Sequence, residues 1–142
     1  EVVAVNLSGC FNMARRLTPG MVARRRGWVV NMASVSGRVW TPLVGGHYTA
    51  TKTALVGLTR HWAGELGPHG VRVNAVAPGP IWTPLIPSTM PPEKVTQFGS
   101  QVPMKRPGQP KELAPVYVFL ASQEASYVTG EVYGATGGNG TA

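Results

Sequence analysis

The chain has 142 residues, enough for one domain with a buried core, and 43% of them are hydrophobic against 13% charged. This composition excludes a largely disordered chain, and no apolar run approaches the roughly 18 residues of a membrane-spanning helix. Cys10 is the only cysteine and the start does not resemble a signal peptide, so we expect a cytoplasmic protein.

The net charge is +7, and all six acidic residues are glutamates, so a hydrolase triad would need glutamate. Five arginines crowd the first predicted helix and its exit: Arg15, Arg16, Arg24, Arg25 and Arg26. A nucleic-acid patch is the alternative reading, but no aromatic ladder accompanies these arginines. We interpret them as a solvated face and expect no nucleic-acid partner.

The first predicted helix begins near Asn6 or Ser8 and ends near Arg25. One side is apolar at helical spacing, with Leu7, Phe11, Ala14, Leu17 and Met21. Pro19 predicts an interruption near residues 18–20, because its ring removes a backbone donor. Asn6 suits the N-cap position of this helix.

An apolar run over residues 28–32 predicts a buried parallel strand. Ser34 follows it directly, at the carboxyl end, where open α/β sheets bind ligands. A hydroxyl there can hold a substrate oxygen. Ser36 is the alternative, and position relative to the strand and to Tyr48 favours Ser34.

The next helix is predicted from near His47 to Leu66. Tyr48 falls in its first turn and Lys52 lies one turn later on the same face. The positive end of the helix and the lysine charge both favour a phenolate. The pair is therefore interpreted as a proton-transfer device.

The rest of the chain predicts a strand over residues 71–77, a helix over 109–120 and a short strand over 130–135. Residues 84–110 contain many prolines and are too long for an ordinary connection, which indicates an active-site lid or a structured surface loop. Trp40, Leu43 and Val44 in the earlier loop could likewise wall a pocket or simply pack. We expect no metal site, because the spacing of His47, His61 and His69 does not fit one.

Four motifs together resemble the short-chain dehydrogenase/reductase family. They are Tyr48-x-x-x-Lys52, Ser34 within residues 33–37, Asn6 within residues 5–9, and residues 74–79 followed by Thr83. They occur in the family's order and spacing, and the resemblance covers nearly the whole chain. Residues 97–131 look most like the aldehyde-reductase and general-stress oxidoreductase branch.

The resemblance implies an NAD(P)(H)-dependent oxidoreductase that interconverts a carbonyl and an alcohol. Tyr48 would exchange the proton of the substrate oxygen and Ser34 would orient that oxygen. Lys52 would hold the nicotinamide ribose and assist Tyr48, and Asn6 would anchor a water of the proton relay. The substrate and the choice between NAD and NADP stay open.

The family also implies which residues contact the cofactor and other subunits. Pro78, Gly79, Ile81 and Thr83 would hold the nicotinamide carboxamide. The two long helices would pair with their copies in a dimer or tetramer. The alternative is a non-catalytic module that docks through these helices.

The implied fold is an α/β fold, the C-terminal portion of one Rossmann-like doubly wound parallel sheet, with three strands and three helices over residues 1–142. Gly134, Gly138 and Gly140 have the spacing of a phosphate-binding glycine motif, but too little chain follows for a helix, so we interpret them as a loop. No other such motif occurs. We therefore expect that the N-terminal βαβ half is missing and that the chain alone is inactive.

Overall fold

A computed structural model describes residues 1–140, and its centre is one parallel sheet. The strands are β1, Gly27–Met32; β2, Val71–Pro78; and β3, Val132–Ala135. They lie in the order β1-β2-β3, with Gly27 opposite Val71 and Ala75 opposite Val132. All three predicted strands are confirmed, and their carboxyl ends share one edge of the sheet.

Within residues 1–140, three long α-helices pack on the sheet and two short ones follow β2. They are α1, Cys10–Ala23; α2, Gly46–Leu66; α3, Leu85–Thr89; α4, Pro92–Val95; and α5, Pro110–Ala121. A π-helical turn, Ala4–Gly9, precedes α1. The α/β class and the three long helices are therefore confirmed, whereas α3 and α4 divide the segment predicted as a loop.

The helices cover both faces of the sheet. On one face Trp62 of α2 and Met21 of α1 pack around Val73 of β2. On the other face the hydroxyl of Tyr117 in α5 donates to the sulfur of Met32 at 2.8 Å. Burial raises the pKa of Tyr117 to about 12, so this phenol keeps its proton at neutral pH.

Small buried residues bring α2 close to the carboxyl half of the sheet. Ala33, Ala75 and Ala77 form a core cluster with Val56 of α2. Deeper in the same contact, the amide of Asn31 donates to the hydroxyl of Thr59 at 2.9 Å. The close approach places the first turns of α2 beside the end of β1.

The predicted interruption at Pro19 is wrong, because α1 runs through it without a break. The missing N–H would have reached the carbonyl of Arg15, and both Arg15 and Pro19 are exposed residues, so the lost hydrogen bond lies on the solvent side of α1. The hydroxyl of Thr18 bonds the carbonyl of Ala14 at 2.9 Å and supports the same turn. The N-cap interpretation of Asn6 is also wrong, since Asn6 lies inside the π-helical turn.

Candidate active site

Ser34 lies two residues beyond the end of β1, in extended backbone. The bond from the Ala33 N–H to the carbonyl of Val76, 2.8 Å, continues the sheet up to this point. Ser34 is buried, and its Oγ accepts from the N–H of Ser36 at 3.2 Å. That bond leaves the hydroxyl hydrogen available for another acceptor.

Ser36 is placed differently. Its hydroxyl shares a 2.8 Å hydrogen bond with the hydroxyl of Thr41. The contact ties the Ser36 side chain to the following loop rather than to the sheet edge. The geometry thus favours Ser34 over Ser36 as the residue that contacts a substrate.

Tyr48 and Lys52 meet on the first turns of α2. In the first turn of this helix, the N–H of Tyr48 donates to the carbonyl of Gly45 at 3.0 Å. The Nζ of Lys52 lies 5.5 Å from the centroid of the Tyr48 ring. The ammonium and the aromatic ring are therefore neighbours, as the spacing of four residues predicts.

Lys52 also joins α2 to the strand that leads to Ser34. Its Nζ donates to the carbonyl of Met32, the last residue of β1, at 2.8 Å. Burial lowers the pKa of Lys52, and the nearby Cys10 thiol acts in the opposite direction. One hydrogen bond brings the lysine and the serine motif to the same sheet edge.

Asn6 reaches this region from the π-helical turn. Its Nδ2 lies 3.4 Å from the hydroxyl oxygen of Thr51, and that hydroxyl donates to the carbonyl of Tyr48 at 2.7 Å. A π-helical turn such as Ala4–Gly9 is rare and often occurs at functional sites. Asn6, Thr51 and Tyr48 thus form one hydrogen-bonded chain.

The predicted carboxamide-binding residues lie at and just beyond the end of β2. The N–H of Gly79 bonds the carbonyl of Ala135 at 3.0 Å, next to the end of β3. A Cβ on Gly79 would stand 2.7 Å from the Cα of Thr136, so this approach requires glycine. Ile81 pairs with Gly108, and Thr83 is half-buried.

Backbone hydrogen bonds hold the end of the proline-rich segment, residues 84–110, against the residues that precede it. The N–H of Gly108 bonds the carbonyl of Pro80 at 2.9 Å, and the N–H of Trp82 bonds the carbonyl of Gly108 at 2.8 Å. Trp82 packs near Phe98, with ring centroids 6.3 Å apart. A cavity of about 180 Å³ lies beside this closure, and Ile81, Leu113 and Thr136 help to line it.

The loop between Ser34 and Tyr48, whose apolar residues could wall a pocket or simply pack, is open to solvent in this chain. Trp40 is 84% exposed and Leu43 is 54% exposed. Gly138 and Gly140 lie in a turn, as predicted, whereas Gly134 belongs to β3. Among residues 1–140, no cluster of three or more His, Cys, Asp or Glu side chains could bind a metal ion.

Two residues at the site escaped the sequence reasoning. Thr51 connects Asn6 with Tyr48, and its signal in the sequence is a hydroxyl next to Lys52. A Cβ on Gly37 would lie 2.7 Å from the carbonyl carbon and oxygen of Lys52, so the turn after Ser34 rests directly on the α2 backbone. Its signal was a glycine three residues after Ser34.

A three-stranded parallel sheet with helices on both faces and polar side chains at its carboxyl edge defines a Rossmann-like α/β protein. The family model described as Enoyl-(Acyl carrier protein) reductase matches residues 1–139. The chain belongs to this family of oxidoreductases, the short-chain dehydrogenases/reductases.

Individual relatives agree with the family. The glucose and ribitol dehydrogenase homolog of Oryza sativa is 46% identical over 97% of this chain and 48% of its own length. NADPH-dependent aldehyde reductase 1, chloroplastic, of Arabidopsis thaliana is 60% identical over 64% of this chain and 32% of its own length. A 3-oxoacyl-[acyl-carrier protein] reductase from Brucella melitensis, solved with bound NAD, is 50% identical with a TM-score of 0.88, over 99% of this chain and 51% of that one.

The chain thus spans about half the length of most relatives it matches. These relatives include proteins whose names or titles mention NAD and NADPH. Within residues 1–140, no helix is both long and apolar enough to cross a membrane.

Proposed function

We propose that the intact protein containing this chain is an NAD(P)(H)-dependent oxidoreductase that interconverts an aldehyde or ketone and an alcohol. The observation that carries the proposal is the hydrogen bond from Lys52 to the end of β1. It gathers Ser34, Tyr48 and Lys52 at the sheet edge where α/β folds bind ligands. The family membership supports the same reaction class.

Each side chain has a role that follows from its chemistry. Tyr48 gives its hydroxyl proton to the substrate oxygen during reduction and takes it back during oxidation. Ser34 donates a hydrogen bond to that oxygen and so orients the carbonyl. Asn6 supports a chain of water that restores the proton to Tyr48.

The polar groups at this edge fit a nicotinamide cofactor. Lys52 uses one of its three N–H hydrogens on Met32, so two remain for ribose hydroxyls. The backbone of Pro78, Gly79 and Ile81, with the hydroxyl of Thr83, lies at the end of β2 and suits the carboxamide. When bound, the cofactor supplies or accepts the hydride at the carbonyl carbon, and the protein contributes position and charge.

The direct test is turnover of the complete enzyme with Tyr48 replaced by Phe. This substitution keeps the ring and removes the proton donor, so we expect kcat to fall by about a thousandfold or more. Tyr133→Phe, which removes a hydroxyl from β3, is the control and should retain wild-type kcat. Substantial turnover by the Tyr48→Phe enzyme would reject the mechanism.

A second candidate function is a non-catalytic module that assembles through α1. The motivating observation is the apolar surface of α1, where Met13 and Leu17, which lie one turn apart, are 59% and 52% exposed. The same surface fits a dimer or tetramer of the enzyme. Light scattering would measure the association of the chain, and a turnover assay of the complete protein would distinguish the two functions. Tight association without turnover would favour the non-catalytic module.

Localisation is also a proposal. The lone cysteine, Cys10, cannot pair within the chain, which suits the reducing cytoplasm. We therefore propose a cytoplasmic enzyme. Fractionation of cells that express the intact protein would test the assignment, and recovery in an oxidising compartment would contradict it.

A further inference from the structure

Thr51 occupies a buried position between the π-helical turn and α2. Only 1% of its surface is exposed. Its hydroxyl donates to the carbonyl of Tyr48 at 2.7 Å, which uses the single hydrogen that the group has. Toward Asn6 the hydroxyl oxygen can therefore only accept a hydrogen bond.

This constraint decides which end of the Asn6 amide faces α2. The Nδ2 group lies 3.4 Å from the Thr51 oxygen, so the amide carbonyl is turned away from Thr51. The opposite orientation would set two oxygen atoms against each other without a hydrogen between them. A contact of this length is weak, so its main effect is on orientation.

The same hydroxyl also ties two elements together. Asn6 sits in the π-helical turn, Ala4–Gly9, while Tyr48 and Thr51 belong to the first turns of α2. The oxygen of Thr51 is the shared atom between the amide of Asn6 and the backbone of Tyr48. Threonine is stiff about its first side-chain bond, which holds that oxygen in place.

We propose that Thr51 is a positioning residue of the proton-transfer site, acting through Asn6. It presents the carbonyl end of the Asn6 amide away from α2, where that oxygen can accept a hydrogen bond from water. The proposal rests on the proposed function. It adds a residue that touches neither the substrate nor the cofactor.

The test is a double-mutant cycle in the complete enzyme. Thr51→Val keeps the shape and removes the hydroxyl, and we expect kcat to fall by about tenfold with KM changed by less than about twofold. Thr51→Ser restores the hydroxyl and should recover kcat to within about threefold of wild type. With Asn6 already replaced by Ala, Thr51→Val should change kcat by less than about twofold, because no amide remains to be oriented.

Two results would overturn the proposal. One is equal impairment of the Ser and Val variants, which would mean that Thr51 only fills space. The other is an undiminished effect of Thr51→Val in the Asn6→Ala enzyme, which would mean that it acts elsewhere. Thermal unfolding of each variant identifies losses of kcat that reflect misfolding.

Failure of the function itself would look different. Tyr48→Phe would then retain wild-type turnover, whatever the Thr51 variants do. If Tyr48→Phe is inactive and the Thr51–Asn6 cycle is additive, only the positioning role fails.

Discussion

Ser34 and Ser36 differ in what their hydroxyl groups contact, although both are buried on the same turn. Ser36 is bonded to Thr41, while Ser34 keeps its hydroxyl hydrogen available at the sheet edge. Lys52 differs from a surface lysine because it is buried and its Nζ donates to the carbonyl of Met32 at the end of β1. Contacts of single side chains therefore separate the proposed site residues from their neighbours.

Replacing Ser34 by Ala in the complete enzyme should lower kcat by about a hundredfold, because one donor to the reacting oxygen is lost. Ser36→Ala is the matched control and should keep kcat within about threefold of wild type, since its hydroxyl serves the loop. Steady-state kinetics with a reduced nicotinamide cofactor would measure both. A larger loss of kcat in Ser36→Ala than in Ser34→Ala would mean that Ser36 donates to the substrate oxygen.

At the scale of elements, the site depends on how closely the turn after β1 approaches α2. Gly37 rests on the backbone of Lys52 and Thr53, and the hydroxyl of Thr53 donates to the carbonyl of Gly37 at 3.3 Å. Lys52 and Thr53 lie about one helical turn after Tyr48 in α2. Packing of backbone on backbone thus sets the distance between the serine and the lysine motifs.

Gly37→Ala should destabilise the chain by about 1–3 kcal/mol, because its Cβ would stand 2.7 Å from backbone atoms of Lys52. Gly57→Ala is the control, since a Cβ there meets nothing within 4 Å and alanine favours the helix. Urea unfolding of both variants gives the comparison. A Gly37→Ala chain as stable as wild type would show that the turn can move away from α2 at little cost.

The start of α5 is stabilised by charge. Both carboxylate oxygens of Glu112 bond Arg106, at 2.7 and 2.8 Å, and one accepts from the N–H of Gln109 at 2.8 Å. The Arg106 hydrogen bonds, followed by the Gln109 N–H, lower the pKa of Glu112 from 4.5 to about 2. The carboxylate thus favours the folded state above pH 4.5, and this contribution is lost as the pH falls through about 2.

Glu112→Gln should therefore unfold at a lower temperature than wild type at pH 7, by a few degrees, and the difference should shrink between pH 4.5 and 2. Glu93→Gln is the control. It removes an equal charge from a glutamate that forms no ion pair within residues 1–140, so its unfolding temperature should match that of wild type. Thermal unfolding at several pH values would measure this. A difference independent of pH would mean that the ionised carboxylate is not responsible.

At the scale of the whole molecule, the chain supplies one side of the cofactor site proposed above. Within residues 1–140, β1 pairs only with β2, so its other edge is free to bond. The side chains expected at the nicotinamide lie at the carboxyl ends of β1 and β2. The sequence contains no glycine motif that precedes a helix and could hold the pyrophosphate.

A titration of the chain with NADH and with NADPH, followed by nicotinamide fluorescence, should give no saturable binding up to about millimolar cofactor, because few contacts to the pyrophosphate are available. The complete enzyme should bind one of the two, and Lys52→Ala should weaken that binding. Tight binding by the chain alone, lost in Lys52→Ala, would contradict the expectation. It would mean that this part of the fold holds the cofactor unaided.

The sequence by itself determined the strands, the ends of α2 and the Tyr48–Lys52 pair, because hydrophobic runs and helical spacing act over a few residues. The prediction at Pro19 was wrong, because α1 continues through this exposed position. Only the tertiary structure decided that Lys52 bonds the end of β1, that Gly37 rests on α2 and that Thr51 lies between Asn6 and Tyr48. Apart from the bond between Thr51 and Tyr48, these contacts join residues 15 to 45 positions apart, and their distances depend on how α1 and α2 pack against the sheet.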